Sequence, residues 1–144
     1  MTLVKHVLDI KGHYVYAIHP GALVFDALRM MADNNVGSLV VLDDEKLVGI
    51  ITERVYAREI ALKGRTSSET LVADVMSTHV PCVRPEQSVE ECMAIMTKRA
   101  VRHLPVLESG RVIGIVSIGD MVNSIISDQQ FVIEELEHFI HGER

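Results

Sequence analysis

The residues best suited to chemistry lie together in Gly114-Ile115-Val116-Ser117-Ile118-Gly119-Asp120, where an apolar, strand-like run gives way to a helix. Gly119 lets the backbone come close to a bound molecule. A helix start offers unpaired N–H groups and a dipole that favours an anion, and the Ser117 hydroxyl can add a hydrogen bond. Ionised, Asp120 only accepts, so its two oxygens can take both hydroxyls of a ribose. A hydroxyl followed three positions later by a carboxylate therefore suits a 5′-phosphorylated ribonucleoside. The same Ser-x-x-Asp spacing ahead of an apolar stretch also fits a helix capping box, which needs no ligand.

The elements that would carry this segment occur twice. Pro20–Val55 lies on Pro85–Asp120 without a gap, with identities at Pro20/Pro85, Val24/Val89, Met31/Met96, Leu39/Leu104, Val41/Val106, Leu42/Leu107, Gly49/Gly114 and Ile50/Ile115. Each copy opens with a short extended piece, Val15–Ile18 or Val80–Val83, running toward a proline. A helix follows, with apolar residues at helical spacing: Val24, Ala27, Leu28 and Met31, then Val89, Cys92, Met93 and Met96. Two apolar runs around a polar turn predict a hairpin, Ser38–Leu42 with Leu47–Ile51 and Leu104–Leu107 with Val112–Val116. A second helix begins near Glu53 or Ile118. Each copy therefore reads β-α-β-β-α, and two copies packed together solve the poor burial of a small single unit. The units expected are 1–65 with an N-terminal lead-in, 66–127, and a C-terminal amphipathic helix over 128–144. That last helix carries Val132, Leu136, Phe139 and Ile140 on one face, to be docked on the body or used as a dimer contact.

In the second copy the telling stretches are Asp74-Val75-Met76, Arg102-His103-Leu104-Pro105-Val106 and Gly114-Ile115-Val116-Ser117-Ile118-Gly119-Asp120. In the first they are Gly37-Ser38-Leu39-Val40-Val41 and Gly49-Ile50-Ile51-Thr52-Glu53-Arg54. At these spacings the chain resembles the CBS-domain family, whose paired copies form Bateman modules. The resemblance implies an α/β fold of tandem CBS domains packed as a pseudo-two-fold pair, and a non-catalytic regulatory module that binds an adenine nucleotide. It places Ser117 on phosphate and Asp120 on ribose, with Ile118 and Gly119 between them and Val80, Pro81 and Cys82 near the base. AMP is the ligand expected first, with ADP, ATP or NAD as relatives, and no cofactor is required.

The first copy departs from that pattern. It reads Thr52-Glu53-Arg54-Val55, and valine cannot accept a hydrogen bond from ribose. One full site and one altered site per chain are therefore expected, with Arg54 either lending its cation to phosphates or simply solvated. Arg102 and His103 stand opposite Gly37 and Ser38 in the repeat, which predicts an asymmetric cleft with Arg102 near phosphate.

Bulk properties narrow the class. A formal charge of -6 argues against non-specific nucleic-acid binding. No apolar run reaches the roughly 20 residues that span a bilayer, and no secretory leader is evident at the start, so a cytoplasmic protein is expected. Cys82 and Cys92 are too few for a disulfide framework and read as reduced thiols. His138 and His141 lack a specified third ligand, so no metal is expected. No nucleophile elbow or Walker loop occurs, and no catalytic residue is assigned. A homodimer is expected, and the competing reading is a ligand-free interaction module that docks an unidentified target protein.

Overall fold

The structure is a computed structural model and describes residues 1–141. Its first repeat runs β1 (Ala17–Ile18), α2 (Val24–Asn34), β2 (Ser38–Asp43) and β3 (Lys46–Thr52). A single α-turn, α3 (Glu53–Val55), then continues as a π-helix over Tyr56–Ala61. β1 pairs parallel with β2, Ala17 opposite Val40, and β2 pairs antiparallel with β3, Val40 opposite Ile50. The second repeat runs α5 (Val89–Arg99), β4 (His103–Glu108), β5 (Arg111–Ser117) and α6 (Ile118–Ile140). Two shorter helices, α1 (Val4–Lys11) and α4 (Val72–Val75), precede the first and second repeats.

The expected strand Val80–Val83 shrinks to one parallel bridge, Val83 with Val106. The Val83 N–H donates to the Pro105 carbonyl at 3.0 Å, and the Leu107 N–H to the Val83 carbonyl at 2.8 Å. Pro81 and Pro85 flank that bridge without N–H groups, which keeps the ladder from lengthening. Both hairpins turn through two left-handed residues, Asp44-Glu45 and Ser109-Gly110, the conformation that matches the twist of the strands.

Each repeat has its own core, and the lead-in helices are exchanged between them. Val4, Val7 and Leu8 of α1 are buried with Val89, Cys92, Leu104, Val106 and Met121 of the second repeat. Val72 and Val75 of α4 are buried with Val24, Leu39, Val41 and Ile51 of the first. Backbone bonds fix the exchange: Val4 N–H to the Gln87 carbonyl at 2.8 Å and Val89 N–H to the Thr2 carbonyl at 3.0 Å. On the other side, Val72 N–H reaches the Ala22 carbonyl at 2.8 Å and Val24 N–H the Thr70 carbonyl at 2.9 Å. Each repeat thus completes its apolar layer with a helix that precedes the other one. The two hairpins meet through β3 and β5.

α6 differs from the expectation of a separate terminal helix. It runs unbroken through Ile140, because no proline or glycine interrupts it beyond Gly119 in its first turn. Only its start is held in the core, through Met121 and the partly buried Ile125. Val132, Leu136, Phe139 and Ile140 are exposed, Leu136 by 55%, so this face is not docked on the body of its own chain. Residues 142–144 of the expected helix lie outside the described residues. No helix among the described residues is long and apolar enough to cross a membrane.

Candidate functional site

A cavity of about 1040 Å³ opens between the repeats. The first repeat supplies Gly37, Thr52, Glu53, Arg54, Val55, Arg58 and Glu59; the second supplies Arg99, Ala100, Val101, Arg102 and His103. The segment joining them adds Met76, Ser77, His79, Val80 and Pro81. That segment reaches the wall because Ile50 and Ser77 exchange backbone hydrogen bonds, at 3.0 Å and 2.9 Å, extending the sheet beyond β3.

The local geometry follows from the sequence. β3 ends at Thr52, whose Oγ1 accepts from the Val55 N–H at 3.0 Å and caps the following turn. The π-helix inserts an extra residue per turn and carries Arg58 and Glu59 to the wall. Across the cleft, α5 ends at Ala100 in the left-handed conformation, φ 53°, and Arg54 Nη1 donates to its carbonyl at 3.1 Å. The lining carries Arg54, Arg58, Arg99 and Arg102 together with Glu53, Glu59 and Asp74, and Glu59 is already paired with Lys63 at 2.6 Å. Four guanidinium groups therefore line a cavity of an acidic chain. Gly37 leaves room for His103, whose Nε2 lies 3.6 Å from where a β-carbon would sit. Burial pushes the His103 imidazole below its usual range, and the Lys11 ammonium pushes the same way against Asp120 and Glu53. A neutral ring follows at neutral pH.

Of the residues singled out in the sequence, Arg54, Val80, Pro81, Arg102 and His103 line this cavity. Ser117, Ile118, Gly119 and Asp120 do not, and neither does Cys82, whose Sγ lies 3.5 Å from the Val80 carbonyl. The grouping of Ser117 and Asp120 with Val80 and Pro81 is therefore not the one the structure makes. The cause is the exchange of lead-ins: the segment before the second repeat runs beside β3 of the first, so Val80 and Pro81 share a wall with Thr52.

Ser117 and Asp120 instead form the capping box of α6. The Asp120 N–H donates to Ser117 Oγ at 3.2 Å, and the Ser117 N–H donates to Asp120 Oδ2 at 2.8 Å. Lys11 Nζ also sits 2.7 Å from Asp120 Oδ2 and donates to the Ile115 carbonyl at 2.7 Å. Sequence reasoning missed Lys11, Arg58, Met76 and Arg99. Lys11 and Met76 stand at equivalent places ahead of the two copies, a signal the repeat alone could have supplied. The cysteines give no sign of redox tuning: burial pushes both thiols up, Cys92 to about 11, where a reactive thiol needs the opposite.

Two α/β repeats, each finished by the other's lead-in and meeting across a cleft lined by arginines of both, define a paired-repeat module. The CBS domain profile matches residues 7–61 and 72–127, and the chain belongs to the CBS-domain family. It is 40% identical to the mitochondrial CBS domain-containing protein CBSX3 of Arabidopsis thaliana, over 83% of this chain and 60% of that protein. The chain thus spans less than two thirds of that relative. With the CBS domain-containing protein YhcV of Bacillus subtilis the identity is 29%, over 85% of this chain and 87% of the relative. Among solved structures, a putative signal-transduction protein with CBS domains from Burkholderia ambifaria superposes with a TM-score of 0.85 at 44% identity. That match covers 89% of this chain and 96% of the other. The CBS-domain structure NE2398 gives 0.84 at 47% identity, covering 87% and 98%.

Proposed function

We propose that this chain is a non-catalytic regulatory module that binds an adenine nucleotide, AMP first among AMP, ADP, ATP and NAD, in the cleft between its repeats. One observation carries the reading: a cavity of about 1040 Å³ at the seam, walled by a capped threonine, apolar residues and arginines from both repeats. Sites for small ligands commonly measure about 300–1,000 Å³ and combine apolar walls with a few placed polar groups. Val80 and Pro81 offer a surface for the base, and Arg54, Arg58, Arg99 and Arg102 offer charge-assisted bonds to phosphate. Ser117 and Asp120, with Ile118 and Gly119 between them, form the equivalent second position. A CBS pair at 25% identity, MJ0100, is described in complex with 5′-methylthioadenosine and S-adenosyl-L-methionine, which supports an adenosine-type ligand. Because the arginines come from both repeats, a bound anion favours one arrangement of the halves over another, and that differential affinity is the regulatory signal.

Calorimetry tests the reading. AMP is expected to bind the parent, and Arg102→Ala to weaken AMP about tenfold, as loss of a charged hydrogen bond does, while adenosine affinity stays unchanged. Absence of binding by AMP, ADP, ATP, NAD and adenosine to the parent would leave the ligand-free docking module as the better description.

The exposed face of α6 belongs, in this reading, to a homodimer in the cytoplasm. Ile126, Gln129, Ile133, Leu136 and Ile140 alternate spacings of three and four, with isoleucine at one seam position of a two-stranded coiled coil and Leu136 beside the polar Gln129 at the other. Light scattering is expected to give twice the chain mass for the parent and a single chain for Leu136→Glu. An unchanged mass in the variant would remove α6 as the contact.

A further inference from the structure

The two ends of the pair, so alike in sequence, are wired differently. Ser117 and Asp120 of the second repeat correspond to Thr52 and Val55 of the first, and Lys11 ahead of the first copy corresponds to Met76 ahead of the second. At the first repeat's end both members are uncharged: Val55 and Met76 line the open cavity. At the second repeat's end both are charged and in contact, with Lys11 Nζ 2.7 Å from Asp120 Oδ2. The pair lies at the surface, the Lys11 side chain 34% exposed and that of Asp120 20%. Lys11 also holds the Ile115 carbonyl, so its ammonium is tethered over the end of β5. Both contacts made by the Asp120 carboxylate, from Lys11 and from the Ser117 N–H, fall on Oδ2. A ribose diol that engages the carboxylate through both oxygens must therefore compete with Lys11.

We propose that Lys11 is the specificity-determining residue of the Ser117–Asp120 position: it occupies the carboxylate until a ligand supplies its own anion. A nucleotide offers the ammonium a phosphate in exchange for Asp120, so the exchange conserves ionic pairing. A nucleoside offers the diol alone, so the Lys11–Asp120 pair is given up with no anion to replace it, the modest loss of a surface ion pair. The position consequently selects phosphorylated ribonucleosides over bare ones by exchange of an ion pair, whereas the Val55–Met76 end has no carboxylate–ammonium pair to exchange and favours phosphate through its arginines alone. The exchange also pulls on α1, whose Val4, Val7 and Leu8 lie in the second repeat's core, so occupancy is transmitted to that core.

This inference rests on nucleotide binding in the cleft, and a site-resolved experiment separates the two. In the ¹⁵N-labelled full chain, the Asp120 amide reports one end and the Thr52 amide the other, each titrated with AMP and with adenosine. In the parent, AMP is expected to shift Asp120 at concentrations where adenosine leaves it unmoved. Lys11→Met installs the residue found at position 76. It is expected to tighten adenosine at Asp120 about two- to fivefold, the range of a lost competing surface ion pair, and to weaken AMP there. Lys11→Arg is expected to keep the parent's preference. A parent Asp120 amide that responds alike to both ligands, or to neither, overturns the proposal, as does an unchanged AMP-to-adenosine ratio in Lys11→Met. Thr52 shifts in those same titrations show that nucleotide binding in the cleft survives such a failure, and silence at both amides defeats that broader reading too.

Discussion

Leu8→Ala is expected to lower folding stability by about 2–5 kcal/mol, and to do so in the repeat farther along the chain. Leu8 is fully buried, and its side chain packs against Gly114 of β5 together with the second repeat's core. Truncation leaves a cavity under β4 and β5 that Val4 and Val7 on the same short helix cannot fill, so the cost of lost transfer and of the void both apply. Amide hydrogen exchange gives the directional readout. The amides of Val106 and Val116 are expected to exchange faster through sub-global opening, while Val40 and Ile51 in the first repeat's sheet keep more of their protection. Faster exchange confined to the first repeat would contradict the exchange of lead-in helices.

The second large effect compares two glycines that the repeat makes equivalent. A β-carbon on Gly49 would stand 2.8 Å from the Ser77 carbonyl oxygen and 2.6 Å from Met76 Sδ. The Ser77 carbonyl belongs to the backbone bridge with Ile50 and has no rotamer to escape through. Gly49→Ala is therefore expected to force the 76–77 segment off β3 and to cost about 1–3 kcal/mol, the range for overpacking a filled site. Because that segment carries Met76 to Pro81 along the cavity wall, AMP affinity should fall with stability. A β-carbon on Gly114 would meet Leu8 Cδ2 at 2.7 Å and Cδ1 at 3.0 Å, the far end of a side chain that can turn. Gly114→Ala is expected to cost less than Gly49→Ala in thermal unfolding. Equal losses would mean that Ser77 retreats as easily as a leucine methyl, and the bridge to Ile50 would then not be what fixes the wall.

The order of elements was legible because it rests on short-range signals. Alternating and helical spacing marked the two hairpins and α2 and α5, and the gapless overlay of Pro20–Val55 on Pro85–Asp120 exposed the duplication. Ser-x-x-Asp ahead of an apolar stretch carried two meanings, and the structure realises the local one, the capping box, without thereby fixing what the carboxylate does with a ligand. Nothing in the spacing of Tyr56–Ala61 marked a π-helix, of which only Ile60 is buried in the first repeat's core.

What the chain's order of residues determined by itself is the kind of unit and its number: two β-α-β-β-α repeats of aliphatic core, with a hydroxyl at the end of each hairpin and a carboxylate three positions later in only one. What the tertiary structure alone decided is which pieces share a wall. α1 and α4 are short helices with a few apolar residues each, and their own sequences do not say which repeat buries them. Their choice of the opposite repeat is made by long-range backbone bonds that no local window contains. That choice sends Val80 and Pro81 to Thr52 and sends Lys11 to Asp120. A pattern of neighbours along the chain specifies local conformation, whereas the pairing of distant surfaces depends on which burial leaves the fewest polar groups unsatisfied across the whole molecule.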